Sequence, residues 1–306
     1  MSVHTRDRGV TVVADQAATE ALAPLLEVWE GQGRLRVERT GVPDPAALAV
    51  LAERSDAVLV VGPRNRAPRT VLPGPVVTTP DDRVVPVAWL PDTGADDLRA
   101  FATAAARVHA RAGRSGGDGH RTFAVLGERQ PRFDRLADRI LSLAAEDRSG
   151  DLSPTRWTAY EVDRAELSRR LGLGPALAVY VGHGRPIGWV GYAGLRAHHL
   201  APAEPAGAVV SLTCKTASRR RTGLSFAEAL PLRGVAAAAL GAVGPTQHTA
   251  NARWALRLTR AASTAACIGD LVVATAPHDP GASAYRLLGD PTAPLLDPPA
   301  PHLEAS

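Results

Sequence analysis

The chain has 306 residues, of which 45% are hydrophobic and 22% are charged, a composition that excludes wholesale disorder. Its length suits one large α/β domain or two ordinary domains, and no apolar run approaches the roughly 20 residues that a membrane helix needs. The net charge is +4, and the arginines are dispersed among acids except at residues 219–221, so we expect neither a nucleic-acid nor a membrane partner.

The first third of the sequence alternates strand and helix signals. Short apolar runs, typical of buried parallel strands, lie at residues 9–14, 35–38, 56–62 and 84–89. Apolar residues at helical spacing predict helices at residues 19–29, 45–53 and 96–112. Repeated alternation of this kind predicts βαβ units and a mostly parallel sheet.

Residues 114–119, Arg-Ser-Gly-Gly-Asp-Gly, have the composition of a linker. After them we predict strands at residues 122–126, 157–160, 176–181, 207–212 and 235–240. Helices are predicted at residues 133–145, 164–171, 226–232 and 251–264. The predicted fold class is therefore α/β, with two adjacent, mostly parallel sheets flanked by helices. The predicted division is an N-terminal subdomain of residues 1–113 and a second subdomain of residues 120–298.

The number of cysteines and the N-terminal residues both indicate in which cellular compartment the protein is expected. Cys214 and Cys267 are too few for a disulfide framework or a zinc set, and they fit a reducing compartment. The first residues contain no apolar core of a signal peptide. We therefore expect a cytoplasmic protein, and the sequence indicates no metal and no cofactor.

Two reactive side chains follow predicted central strands. His183 lies between Gly182 and Gly184 just after one strand, and Cys214 follows the next strand. Functional sites of open parallel sheets lie beyond the carboxyl ends of the strands, so the two side chains are expected at one edge. A thiolate is a nucleophile, and an imidazole takes up the thiol proton or stabilises the thiolate. The Gly184 and Cys214 amides would then form an oxyanion hole.

Simpler explanations exist for both residues. A cysteine in an apolar segment is commonly core filler, and a histidine between glycines is commonly a turn residue. The glycines of residues 182–188 also suggest a dinucleotide-binding loop. However, Pro186, Gly188 and Gly191 oppose the helix whose N-terminus would hold a pyrophosphate. Nucleotide binding is therefore a lesser hypothesis, which requires that ATP or NAD raise the melting temperature.

Several motifs, in order along the chain, resemble those of gingipain-type cysteine peptidases of the caspase-like clan. The histidine motif is Tyr-Val-Gly-His-Gly at residues 180–184, with Trp189 soon after, and Cys214 follows at about the family's spacing. Further segments that resemble the family lie at residues 85–91, 226–230, 234–241 and 285–291. The resemblance covers roughly residues 8–297.

The resemblance implies a caspase-like fold and a cysteine endopeptidase that acts on peptide or protein substrates through a thioester acyl-enzyme. It implies that Cys214 is the nucleophile and His183 the base. Glu128 matches the family's acidic residue that hydrogen-bonds the histidine, where a carboxylate would fix the imidazole tautomer. Trp254 matches the tryptophan that covers the specificity pocket in the family; its alternative is a helix residue packed on the core.

The resemblance also bears on specificity. Relatives that cleave after arginine or lysine carry an acid at the base of the first pocket. An ungapped match places Arg139 there and Asp138 one residue early, and one residue turns a helical side chain by about 100°. Asp138 would therefore serve only with a gap in the match, and its alternative is a solvated helix face. If Asp138 does serve, residues 219–221 become a self-cleavage site.

The sequence departs from the family pattern beside the nucleophile. Thr213 and Ala217 stand where the family favours alanine and glycine. These departures support a second hypothesis, a catalytically inactive caspase-like scaffold that binds a partner protein. Because the sequence shows no export signal, we expect an intracellular relative reduced to the catalytic core.

Overall fold

The computed structural model describes residues 9–114, 121–146, 152–200, 203–219 and 223–295. Its strands are β1 Gly9–Val13, β2 Leu35–Glu38, β3 Ser55–Pro63, β4 Val76–Thr78, β5 Val84–Asp92, β6 Arg121–Gly127, β7 Leu152–Arg156, β8 Leu177–Val181, β9 Gly184–Arg185, β10 Gly188–Trp189, β11 Ala206–Leu212, β12 Ala236–Ala242 and β13 Tyr285–Gly289. Its α-helices are α1 Gln16–Ala21, α2 Ala23–Gly31, α3 Pro45–Glu53, α4 Pro68–Val71, α5 Ala95–Arg114, α6 Pro131–Ala145, α7 Arg164–Leu171, α8 Gly191–Gly194, α9 Phe226–Leu232, α10 His248–Ala262 and α11 Ile268–Thr275.

The main sheet has the strand order β2-β1-β3-β5-β13-β12-β11-β8-β6-β7, with β4 paired to β5. Neighbours along this path are parallel except β12 and β13, which are antiparallel. Because β13 is parallel to β5 and antiparallel to β12, the strands of the two halves run in opposite directions. The carboxyl ends of β6, β8, β11 and β12 therefore share one edge of the second half.

The α/β fold class with a mostly parallel sheet flanked by helices is confirmed. The two predicted sheets, however, are hydrogen-bonded into one. They meet at β13, a strand that the sequence analysis does not predict, where Leu287 pairs with Ala88 and Leu288 with Trp89. This pairing satisfies backbone groups that would otherwise be left unpaired at two buried edges. Of the predicted linker at residues 114–119, Arg114 ends α5, and residues 115–119 lie outside the described residues.

Helices cover both faces of the sheet, and the sheet divides the core into two apolar clusters. Along β8, Val179 packs in one apolar cluster, while Tyr180 packs in the other. The first cluster also contains Trp254, and the second also contains Trp189. Burial on both faces explains why the central strands are continuous apolar runs. Within the described ranges, none of the helices combines the length and apolarity needed to cross a bilayer.

Two local predictions are wrong. The strand predicted at residues 157–160 lies instead at β7, which contains Pro154; β7 is an edge strand, where proline is tolerated. The helix predicted at residues 19–29 is two helices, α1 and α2. Pro24 lies in the first turn of α2, where its missing N–H costs no helical hydrogen bond, so a new helix begins there.

Candidate active site

The pairing of β8 with β11 fixes where the two reactive residues lie. These strands are parallel neighbours in which Val181 is paired with Leu212. His183 and Cys214 each follow that pair by two residues, so both lie beyond the carboxyl ends of adjacent strands. An ideal Cβ on Gly184 would lie 2.5 Å from the Cys214 carbonyl oxygen, which shows that the two loops touch.

The loop that carries Cys214 turns sharply. Lys215 has a φ of 62°, in the left-handed region that non-glycine residues rarely adopt. Its backbone N–H donates to the Gly244 carbonyl at 3.0 Å, and the Ser218 N–H donates to the Lys215 carbonyl at 2.9 Å. Such conformations persist only where the surroundings hold them, and here they leave the Cys214 side chain half-buried at the end of its strand.

The Cys214 sulfur lies against the loop that follows β12. The Thr246 backbone N–H donates to Sγ at 3.3 Å, and the Thr246 Oγ1 lies 3.5 Å from Sγ. Asn251 donates to that hydroxyl at 2.9 Å and to the Leu212 carbonyl at 3.2 Å, while the Tyr285 hydroxyl donates to Asn251 Oδ1 at 2.7 Å. The sequence analysis missed Thr246 and Asn251. The signal that could have found them is their position after β12, the strand that runs parallel to β11 and ends at the same edge of the sheet.

The backbone of His183 is held from several sides. Its N–H donates to Glu128 Oε2 at 2.6 Å. Its carbonyl accepts from the Val190 N–H at 2.9 Å and from the Tyr180 hydroxyl at 3.1 Å. Glu128 is buried and also accepts from Gln130 Nε2 at 2.8 Å. Glu128 thus contacts the predicted residue, but it bonds the backbone of His183 rather than the imidazole ring.

The imidazole of His183 contacts α6. Its Nε2 lies within hydrogen-bond distance of the Arg132 guanidinium, and Phe133 packs edge-on against the ring with centroids 5.3 Å apart. Because a guanidinium can only donate, Nε2 accepts in this contact, and the compatible neutral tautomer carries its proton on Nδ1. The sequence analysis also missed Arg132.

No hydrogen bond joins the Cys214 sulfur to His183 within the described part of the chain. The sulfur bonds Thr246 and the imidazole contacts Arg132. Catalytic hydrogen bonds are often open when no substrate is bound and close only in the substrate complex. The geometry is therefore that of two reactive groups on touching loops with separate resting partners.

Trp254 lines a cavity of about 310 Å³ beside the Cys214 loop. Thr246 and Tyr285 also line this cavity. The indole of Trp254 is buried, donates to the Thr275 hydroxyl at 3.1 Å and packs edge-on against Tyr285 with centroids 4.7 Å apart. Trp254 therefore borders the cavity and packs in the core, and its role over a specificity pocket stays a prediction.

Asp138 faces β7 rather than that cavity. Its Oδ1 accepts from Arg156 at 2.6 Å, and Asp134 pairs with the same guanidinium. Of the arginine run, the structure describes Arg219, whose guanidinium bonds Glu228. Residues 220 and 221 lie outside the described residues, so the predicted self-cleavage site stays a prediction.

The two departures from the family pattern are accommodated in the core. Thr213 is buried, and its Cγ2 would lie 2.6 Å from a Cβ on Gly184, so the Thr213 side chain fills the space beneath that glycine. Ala217 is fully buried, and its N–H donates to the Ala242 carbonyl at 2.9 Å.

We expect iodoacetamide to label Cys214 at least about tenfold faster than Cys267 at pH 8. Burial, with the nearby charge of Asp270, raises the pKa of the Cys267 thiol to about 12, so its reactive thiolate is scarce at that pH. Cys214 lies on the loop that touches the loop of His183, the predicted base that would take up its proton. Peptide mass spectrometry over time measures both rates. Equal rates would contradict this expectation.

Several solved structures share this fold. A structure titled as that of a protease aligns with a TM-score of 0.70 at 13% identity, over 95% of this chain and 79% of that chain. The Arg-specific cysteine proteinase gingipain R aligns with a TM-score of 0.69 at 13% identity, over 96% and 80%. The Saccharomyces cerevisiae separase–securin complex aligns with a TM-score of 0.51 at 13% identity, over 76% and 16%. At these identities the likeness shows the fold alone.

Sequence comparison gives the family. A search of curated protein sequences finds no significant match. The model of Peptidase family C25, the gingipain family, matches residues 115–296, which is more than half of the chain and includes both reactive residues. The chain therefore belongs to Peptidase family C25, a family of gingipain-type cysteine peptidases.

Proposed function

We propose that the chain is a cysteine endopeptidase with Cys214 as nucleophile and His183 as base. The observation that supports this most directly is the pairing of Val181 with Leu212, after which the two residues follow on touching loops. Peptide or protein is the proposed substrate, and the proposed chemistry requires no metal or cofactor.

Acylation follows from the two side chains. The Cys214 sulfur attacks the scissile carbonyl carbon, forms an S–C bond and moves the carbonyl electron pair onto oxygen. In our proposal the Gly184 and Cys214 amides donate to that oxyanion. His183 takes up the thiol proton and delivers it to the leaving nitrogen as the C–N bond breaks. A thioester on Cys214 and a free amine result.

Deacylation reverses the roles. His183 removes a proton from water, the hydroxide oxygen bonds to the thioester carbon, and the C–S bond breaks with return of a proton to sulfur. A carboxylic acid is released and the thiol is restored. Because Arg132 occupies the Nε2 lone pair, Nε2 can accept a proton only after that contact opens.

The experiment that tests this proposal is cleavage of a degenerate quenched-fluorescent peptide library. We expect Cys214→Ala and His183→Ala to lower kcat/KM by about 10³-fold or more. Cys267→Ala is the matched control, because its thiol lies at the start of α11 and accepts from the Asp270 N–H, and it should keep wild-type activity. Cleavage that survives Cys214→Ala would overturn the assignment.

One observation favours a second candidate, a non-catalytic scaffold that binds a partner protein. The resting contacts hold the sulfur on Thr246 and the imidazole on Arg132. A scaffold would cleave no member of the library and would retain its partner equally in wild type and Cys214→Ala. Cleavage dependent on Cys214 excludes this candidate.

A further inference from the structure

A cleft rich in positive charge opens beside His183. It has a volume of about 290 Å³ and lies between α6 and α10. The residues that line it are Arg132, Arg135, Leu136, Arg139, His248 and Ala252. The two helices pack against each other, so the cleft has rigid helical walls.

The spacing of the three arginines places them on one face of α6. Residues three and four apart are neighbours on a helix, so Arg132, Arg135 and Arg139 form one row. The acids of α6, Asp134 and Asp138, lie on the face that meets Arg156 of β7. Among the residues that the structure describes, none of the three arginines pairs with a carboxylate. The row therefore presents uncompensated guanidinium groups to the cleft.

The cleft is joined to the proposed catalytic histidine. Arg132 contacts His183 Nε2, and Phe133 packs edge-on against both His183 and His248, with centroids 5.3 and 5.2 Å apart. Burial lowers the pKa of His248, and the nearby positive charge of Arg132 lowers it further.

We propose that this cleft binds an acidic side chain of the substrate, so that cleavage is selective for peptides with aspartate or glutamate beside the scissile bond. This inference rests on the proposed peptidase function. The planar guanidinium matches a carboxylate bidentately, whereas a lysine or arginine side chain of the substrate meets like charges. The volume accommodates either acidic side chain.

The same binding event reaches the catalytic base. A carboxylate is a stronger acceptor for a guanidinium than a neutral imidazole, because both partners of the hydrogen bond are then charged. An acidic substrate side chain therefore draws Arg132 away from Nε2 and frees the lone pair of His183. A neutral side chain competes more weakly with Nε2 for the Arg132 guanidinium, and a basic side chain does not compete for it.

The test compares peptides of one sequence that carry Asp, Glu, Asn, Gln, Lys or Arg at each position in turn. We expect kcat/KM to be highest for the acidic peptides, and Arg135→Gln and Arg139→Gln each to lower the ratio of kcat/KM between the Glu and the Gln peptide about tenfold. Arg139→Glu should shift the preference towards lysine. Arg99→Gln, at an exposed arginine of α5, is the control for net charge and should have no effect.

A binding measurement separates this inference from the proposed function. Fluorescence anisotropy with Cys214→Ala protein should show tighter binding of acidic than of amide peptides, and Arg135→Gln with Arg139→Gln should abolish the difference. Equal affinities, or a preference unchanged in that double variant, would overturn the inference even if cleavage dependent on Cys214 stands. If no peptide is cleaved, the proposed function fails and the affinities still decide the charge preference.

Discussion

Gly184→Ala should lower kcat/KM for peptide cleavage by about 100-fold, because a displacement of about 1 Å among reacting groups is enough for such a loss. The new Cβ would lie 2.5 Å from the Cys214 carbonyl oxygen and 2.6 Å from Thr213 Cγ2. The nearest atom is backbone, so the clash can be relieved only by moving the His183 and Cys214 loops apart.

The matched control for this variant is Gly244→Ala. Gly244 accepts a hydrogen bond from Lys215 in the Cys214 loop, yet a Cβ there would meet nothing within 4 Å. Steady-state kinetics on one cleaved peptide, with circular dichroism to show that both variants are folded, measures the difference. Activity of Gly184→Ala within about twofold of wild type would mean that the contact of the two loops does not set the reactive geometry.

Glu228→Ala should lower the free energy of unfolding by about 3–5 kcal/mol, the range for breaking one side of a buried ion pair. The Glu228 carboxylate is fully buried. It accepts from Arg219 at 2.6–3.0 Å, from the Ser225 N–H at 2.9 Å and hydroxyl at 2.8 Å, and from Trp89 Nε1 at 3.2 Å. Alanine would leave the partly buried guanidinium of Arg219 and several donors without their acceptor.

Glu166→Ala is the control for Glu228→Ala. Glu166 also pairs with two arginines, Arg169 and Arg170, but these lie at the surface, where such pairs contribute about 0–1 kcal/mol. Urea denaturation monitored by tryptophan fluorescence gives both values. Equal losses of unfolding free energy for the two variants would show that burial does not determine how much the Glu228 network contributes to stability.

The central parallel strands were the most predictable part of the fold. Burial on both faces makes β3, β8 and β11 continuous apolar runs, and that signal is local to each segment. Nothing in the local sequence of β13 indicates which strand it pairs with, because its pairing with β5 forms only when the two halves of the sheet come together. Likewise β7 contains a proline that disfavours a strand anywhere except at an edge, and a single segment does not reveal its place in the sheet.

The candidate site shows the same limit. The position of His183 and Cys214 after two strands predicts their shared edge, since strand direction determines where parallel strands end. The contact of Thr246 with the sulfur spans 32 residues of sequence, and that of Arg132 with the imidazole spans 51. These contacts depend on loop paths and helix packing. Glu128 contacts His183, the partner predicted for it, but its side-chain conformation determines that it accepts a hydrogen bond from the His183 backbone rather than from the imidazole.

The position of β13 has a consequence for how the chain reaches this fold. Leu287 pairs with Ala88, about 200 residues earlier, and such distant pairings make folding slow. Until residues 285–289 have left the ribosome, β5 and β12 both present unpaired central edges, which are templates for contact with other chains. Folding of this sheet during synthesis therefore depends on protection of those two edges. A nascent chain arrested before residue 285 should associate with other chains rather than settle as a smaller folded unit.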